Sequence, residues 1–109
     1  MSRRVVVFMS PWCGSSSDTQ RALKEWGVDA TFVNVKEDRE AAARLREWVG
    51  FESVPTVFVA DGGELTPTEA PLQLAKGISP RGVDRGSMIT EASRPQLREW
   101  LVKQGMLAD

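Results

Sequence analysis

The run Val5-Val6-Val7-Phe8, inside "RRVVVFMS", offers no polar position in either register of a strand. A strand with one solvated face alternates apolar and polar residues. One that is apolar throughout must be covered on both faces, as central strands of α/β sheets are. The chain therefore needs apolar layers above and below this strand, and helical patterns follow it. Thr19, Ala22, Leu23 and Trp26 fall at the i, i+3, i+4, i+7 spacing of a helical stripe, which Gly27 ends. Residues 30–35, "ATFVNV", read as a second strand. "KEDREAAARLREWVG" reads as a second helix, acidic in its first turn, with Ala41, Leu45, Trp48 and Val49 on its inner face and Gly50 past its end.

After these come a strand over Thr56–Ala60, a hairpin turn at Asp61-Gly62-Gly63, and a short returning strand over Glu64–Thr66. "SRPQLREWLVKQGM" reads as a last helix, with Ser93 and Gln96 as a capping box and Leu97, Trp100 and Leu101 facing inward. The order β-α-β-α-β-β-α predicts an α/β, thioredoxin-like domain: a four-stranded mixed sheet flanked by helices. At 109 residues the chain is one domain with room for a core of its own. Residues 69–93, rich in proline and glycine, read as an irregular insertion before the last helix. Three readings stand for it: a short helix around Pro71–Lys76, a lid, or a contact surface.

Composition narrows the chemistry. Histidine is absent and there is one cysteine, Cys13. No intrachain disulfide, Cys–His pair, Ser–His–Asp triad or multi-cysteine zinc site can be built from this set. The net charge of −1 carries no basic surplus for nucleic acid. The apolar run Val5–Met9 is far shorter than a membrane span or a signal-peptide core, so the expected location is the cytoplasm, with no membrane partner. What remains is a lone thiol, carboxylates, or no chemistry.

Cys13 stands in "MSPWCGSSSD", between the first strand and the first helix, as the N-cap or the first helical residue. First-turn amides of Ser15 and Ser16 then point back at its sulfur, and the positive helix end favours a thiolate. The hydroxyls of Ser15 and Ser16 add donors, while the charge of Asp18 opposes ionisation. The alternative is a small buried residue of no chemical consequence. Asp61-Gly62-Gly63 is a turn rather than a phosphate loop. Glu37, Asp38 and Glu40 suit a helix start rather than a metal site. Trp26, Trp48 and Trp100 lie on helical stripes and belong to the core.

"MSPWCGSS" after a first strand, followed some forty residues later by "SVPTVFVADGG", resembles the glutaredoxins over about Val5–Thr68. The nearest subgroup in motif is the mycoredoxin-like actinobacterial glutaredoxins, with their W-C-G-x-C site and V-P-T-V segment leading to A-D-G. The resemblance implies that Cys13 is the nucleophile that attacks disulfides and that Trp12, Val54 and Pro55 bind substrate, while Gly14, Ser15 and Ser16 at the helix start are the thiolate-stabilising residues. Pro55 matches the family's cis-proline, which leaves the Val54 backbone to pair with a bound thiol compound. Ser16 stands where two-cysteine members carry the resolving cysteine, so the implied chemistry is monothiol, resolved by an outside thiol. The implied partner is a low-molecular-weight thiol (glutathione, mycothiol or similar) or a protein disulfide, with no cofactor required. The Cys-Gly-Phe-Ser glutaredoxins that carry iron–sulfur clusters are also monothiol. Here Cys13-Gly14-Ser15-Ser16 departs from them at Ser15. A cluster or thiol carrier, and an inactive binding module, are the alternatives.

The expected glutathione-binding positions differ as well. Ser10 replaces a lysine, Phe51-Glu52-Ser53 lack the arginine or glutamine before Val-Pro, and Thr66-Pro67-Thr68-Glu69 occupy the place of the Gly-Gly-x-Asp segment. Arg21, Lys24, Arg81 or Arg85 are the cations left to replace them. Oligomeric state is not fixed by the sequence.

Overall fold

A computed structural model describes residues 3–108. The elements are β1 (Arg3–Met9), α1 (Gly14–Glu25), β2 (Ala30–Asn34), α2 (Arg39–Val49), β3 (Thr56–Asp61), β4 (Met88–Thr90) and α3 (Arg94–Lys103). The sheet order is β2-β1-β3-β4, with β1 parallel to β2 and antiparallel to β3, and β3 antiparallel to β4. This is the four-stranded mixed sheet of the thioredoxin-like layout.

The period-two geometry of β1 divides its apolar run between two cores. Val6 and Phe8 pack with Phe58, Ala60 and the inner face of α2 at Ala41, Ala42, Leu45 and Val49. Val5 and Val7 pack on the other side with Val57, Val59, Leu23 of α1 and Leu97, Trp100 and Leu101 of α3. Each fully buried valine, leucine or phenylalanine among them contributes roughly 1.5–3 kcal/mol on burial, the alanines less. Trp48 joins the α2 side in an aromatic cluster, its ring 5.7 Å from Phe8 and 5.4 Å from Phe58.

Local chemistry sets the helix limits. The Asp38 carboxylate accepts from Ala41 N–H at 3.0 Å and starts α2. Ser93 and Gln96 close a reciprocal capping box at α3. Arg94 opens that helix although it precedes Pro95, because a proline in the first turn removes a donor that has no helical partner anyway. Helices α1 and α3 end alike. Gly27 and Gly105 take positive φ; the amides of Gly27 and Val28 return to Lys24 O and Leu23 O, and those of Gly105 and Met106 to Val102 O and Leu101 O.

The returning strand is not Glu64–Thr66. Asp61-Gly62-Gly63 does turn, with Glu64 N–H reaching Asp61 O at 3.1 Å. The guanidinium of Arg4 then takes the carbonyls of Gly62 and Glu64, so they are not available to a strand partner. Pro67 has no N–H to add to a ladder. Met88–Thr90 take the edge of β3 instead, so the segment expected to be irregular to residue 93 carries the fourth strand at its end. No helix forms around Pro71–Lys76, where six residues give too few hydrogen bonds to offset helix nucleation. Arg85 organises this segment: its backbone pairs with Leu72, and its side chain donates to Leu72 O and Trp48 O, both at 2.8 Å.

Candidate active site

Strand β1 ends at Met9, Ser10-Pro11-Trp12 turn the chain, and Cys13 becomes the N-cap of α1 with extended backbone, φ −100° and ψ 120°. Its thiol is partly exposed and donates to Val54 O at 3.7 Å. The Val54–Pro55 peptide bond is cis. Two distant stretches, Trp12-Cys13 and Val54-Pro55, therefore meet at one end of the sheet. Trp12 stands 87 % exposed beside the sulfur.

Several influences act on the thiol. Burial pushes its pKa up, and the Glu91 carboxylate adds to that. Hydrogen bonds from the Ser16 amide, the Ser16 hydroxyl and the Ser15 amide pull it down and prevail, leaving Cys13 below its ordinary value. Ser16 is buried, and its oxygen accepts from Ser10 N–H at 3.3 Å. Ser15 is exposed and acts through its backbone. Gly14 supplies the first residue of α1.

The carboxylate that opposes ionisation is Glu91 and not Asp18. Asp18 is engaged by Arg94 at 3.3 Å. Glu91 sits directly after β4, its N–H bonded to Pro55 O at 2.7 Å. Its side chain accepts from Ser53 Oγ and from Arg81, the latter at 3.1 Å. A cleft of about 580 Å³ opens next to Cys13, lined by Gly14, Ser15, Arg81, Glu91, Ala92 and Ser93 among others.

Of the four cations expected to serve a ligand, one lines this cleft. Arg81 is there. Arg85 is buried in the core of the long segment. Arg21 and Lys24 lie eight and eleven residues along α1 from Cys13, about 12 and 16 Å at the helical rise. Lys24 borders a separate cavity of about 310 Å³ with Gly27 and Phe32. Among the described residues no group of three or more His, Cys, Asp or Glu is placed to hold a metal ion, and no helix is long and apolar enough to cross a membrane.

A sequence model of the glutaredoxin family matches residues 5–65, more than half of the chain. The chain belongs to the glutaredoxin family. Among solved structures, it is similar to the crystal structure of a buckwheat glutaredoxin–glutathione complex. The two share 25 % identity over 51 % of this chain and 54 % of that one, with a TM-score of 0.46. The chain thus aligns with little more than half of that structure's length. No curated protein matches it. With the last strand at Met88–Thr90, the place that follows it in a glutaredoxin falls on Glu91-Ala92-Ser93 and not on Thr66-Pro67-Thr68-Glu69. Sequence reading missed Glu91 because its place near Cys13 depends on that unrecognised strand.

Proposed function

We propose that the chain is a monothiol thiol–disulfide oxidoreductase of the mycoredoxin-like kind, with Cys13 as its nucleophile. The observation that carries this is the partly exposed Cys13 thiol at the α1 N-terminus, held below its ordinary pKa against both burial and Glu91.

The Cys13 thiolate attacks one sulfur of a disulfide. A Cys13–sulfur bond forms, the substrate's S–S bond breaks, and the second sulfur leaves as a thiolate. The amides of Ser15 and Ser16 and the Ser16 hydroxyl stabilise the attacking anion before the step and receive it back afterwards. Val54 and Pro55, 3.7 Å from the sulfur through Val54 O, form the edge along which the substrate lies, with the exposed Trp12 as its rim. Ser16 has no sulfur with which to attack the mixed disulfide, so an outside thiolate attacks its substrate sulfur: a new disulfide forms between those two, the bond to Cys13 breaks, and Cys13 leaves as the thiolate. That thiol is a low-molecular-weight one (glutathione, mycothiol or similar) or belongs to a protein. No cofactor is required, and a reducing cytoplasmic setting suits a lone active thiol.

Cys13 alkylation across pH, against denatured protein, tests the reading. The expected midpoint lies below that of the denatured chain. The mixed disulfide with one small thiol is expected to persist on isolation, by intact mass, until fresh thiol is added. An unshifted midpoint, or no reaction before unfolding, overturns it.

A further inference from the structure

The cleft beside Cys13 carries three charged side chains: Asp18, Arg81 and Glu91. Two are carboxylates and one is a guanidinium. That guanidinium already lies 3.1 Å from a Glu91 oxygen, and Asp18 is shared with Arg94, which also holds Glu25 at 2.7 Å. The cleft lining therefore sums to −1, and its single cation is spent on its own carboxylate.

Glu91 is held in place firmly. Among the described residues it is the one non-glycine with positive φ, 46°, a left-handed conformation that L-residues rarely adopt. Its backbone is tied to Pro55 O, its carboxylate to Ser53 Oγ and Arg81, and the side chain is 22 % exposed. The starts of α1 and α3 also line this cleft, through Gly14 and Ser15 and through Ser93 and Gln96. The first-turn amides of α1 serve the sulfur, and the capping box closes the start of α3.

We propose that Glu91 is a specificity-determining residue that makes this cleft discriminate against anionic sulfur compounds, so that the disulfides and resolving thiols it accepts are neutral or cationic around the sulfur. This rests on Cys13 being the nucleophile. Thiolate attack spreads negative charge along the line of sulfurs, and a carboxylate carried by the substrate adds repulsion from Glu91 across the open cleft, which salt screens in part.

The test measures rate constants of Cys13 at fixed pH and low ionic strength with cystamine (cationic), bis(hydroxyethyl) disulfide (neutral) and dithiodipropionate (anionic). Each rate is divided by that of mercaptoethanol with the same disulfide. The wild type is expected to disfavour the anion about tenfold relative to the neutral compound. Glu91→Gln should reduce that preference about three- to tenfold, and added salt should reduce it in the wild type. Arg81→Ala, which leaves Glu91 uncompensated, should deepen it, and it carries the test should Glu91→Gln fail to fold. An equal anion rate in the wild type, or a preference unmoved by these variants, overturns the proposal. The same variants are compared with iodoacetate and iodoacetamide. Should Cys13 alkylate but attack no disulfide, the oxidoreductase reading fails, while the iodoacetate-to-iodoacetamide ratio still decides the role of Glu91.

Discussion

Ser16 Oγ accepts a hydrogen bond from the backbone N–H of Ser10 at 3.3 Å, which leaves its own proton free to be given to Cys13. One buried hydroxyl thus joins the end of β1 to the start of α1 and orients a donor at the sulfur. Ser16→Ala removes that donor and strands the Ser10 amide. The Cys13 alkylation midpoint is expected to rise, and stability to fall by about 1–3 kcal/mol for the unpaired buried amide. A midpoint that stays where it was in Ser16→Ala would assign the whole effect to the backbone amides.

The lowered thiol pKa makes stability depend on pH. The folded chain releases the Cys13 proton more readily than the unfolded chain, whose thiol ionises at about 8.5. Between the folded and unfolded values the unfolded state binds more protons, so stability rises with pH. The contribution is complete above the unfolded value and is lost as pH falls through the folded one. Urea midpoints of the reduced protein measured from pH 6 to 9 should therefore climb relative to those of Cys13→Ala. Parallel curves for the two proteins would contradict a depressed thiol pKa.

The parts of this structure that sequence made visible are those whose cause is local. Val5–Phe8 announce a strand covered on both faces, Asp38 and Ser93 announce helix starts, and Cys13 announces itself by lying at a strand-to-helix turn. The fourth strand is different. Met88-Ile89-Thr90 is too short for alternation to be read, whereas Glu64–Thr66 follow a strong turn signal. Arg4, sixty positions away in sequence, decides between them by capturing the turn carbonyls. Once the edge strand moves, so does everything set by it. Glu91 comes within electrostatic range of the thiol, Arg81 pairs with Glu91, and Arg85 turns inward instead of serving a ligand. Non-local polar contacts of this kind leave no periodicity in a sequence.

Gly82 ties the start of α3 to the cleft. Its φ is +71°, and a Cβ there would lie 2.9 Å from the Gln96 amide, the group that accepts from Ser93 N–H in the capping box. Gly82→Ala combines left-handed backbone strain with displacement of that amide. A loss of about 1–2 kcal/mol is expected, with faster hydrogen exchange in the first turn of α3. Gln96→Ala alone should reproduce the exchange but not the strain. Equal losses in the two variants would mean that strain at Gly82 contributes nothing.

Arg85 carries the last prediction. It is 6 % exposed, yet no carboxylate pairs with it among the described residues. Its partners are the carbonyls of Leu72 and Trp48, and burial lowers its pKa. Trp48 O belongs to the last turn of α2, where helix carbonyls lack intrahelical partners and the dipole favours a cation. The guanidinium thus fastens the long segment to α2 and completes a helix end in the same contact. Charged hydrogen bonds to backbone are worth about 1.5–3 kcal/mol each, part of which is offset by desolvating the charge. Arg85→Ala is therefore expected to cost about 2–4 kcal/mol, and to open the segment locally before the whole domain unfolds. Thermolysin should then cut near the exposed Leu72 and Ile78 at protease levels the wild type withstands. Lysine at this position has one ammonium in place of a fork and cannot span both carbonyls in the same geometry, so Arg85→Lys should recover only part of the protection. Wild-type resistance in Arg85→Ala would move the fastening to other side-chain ties of the segment, such as Ser87 Oγ to Glu69 O and Trp100 Nε1 to Gly86 O.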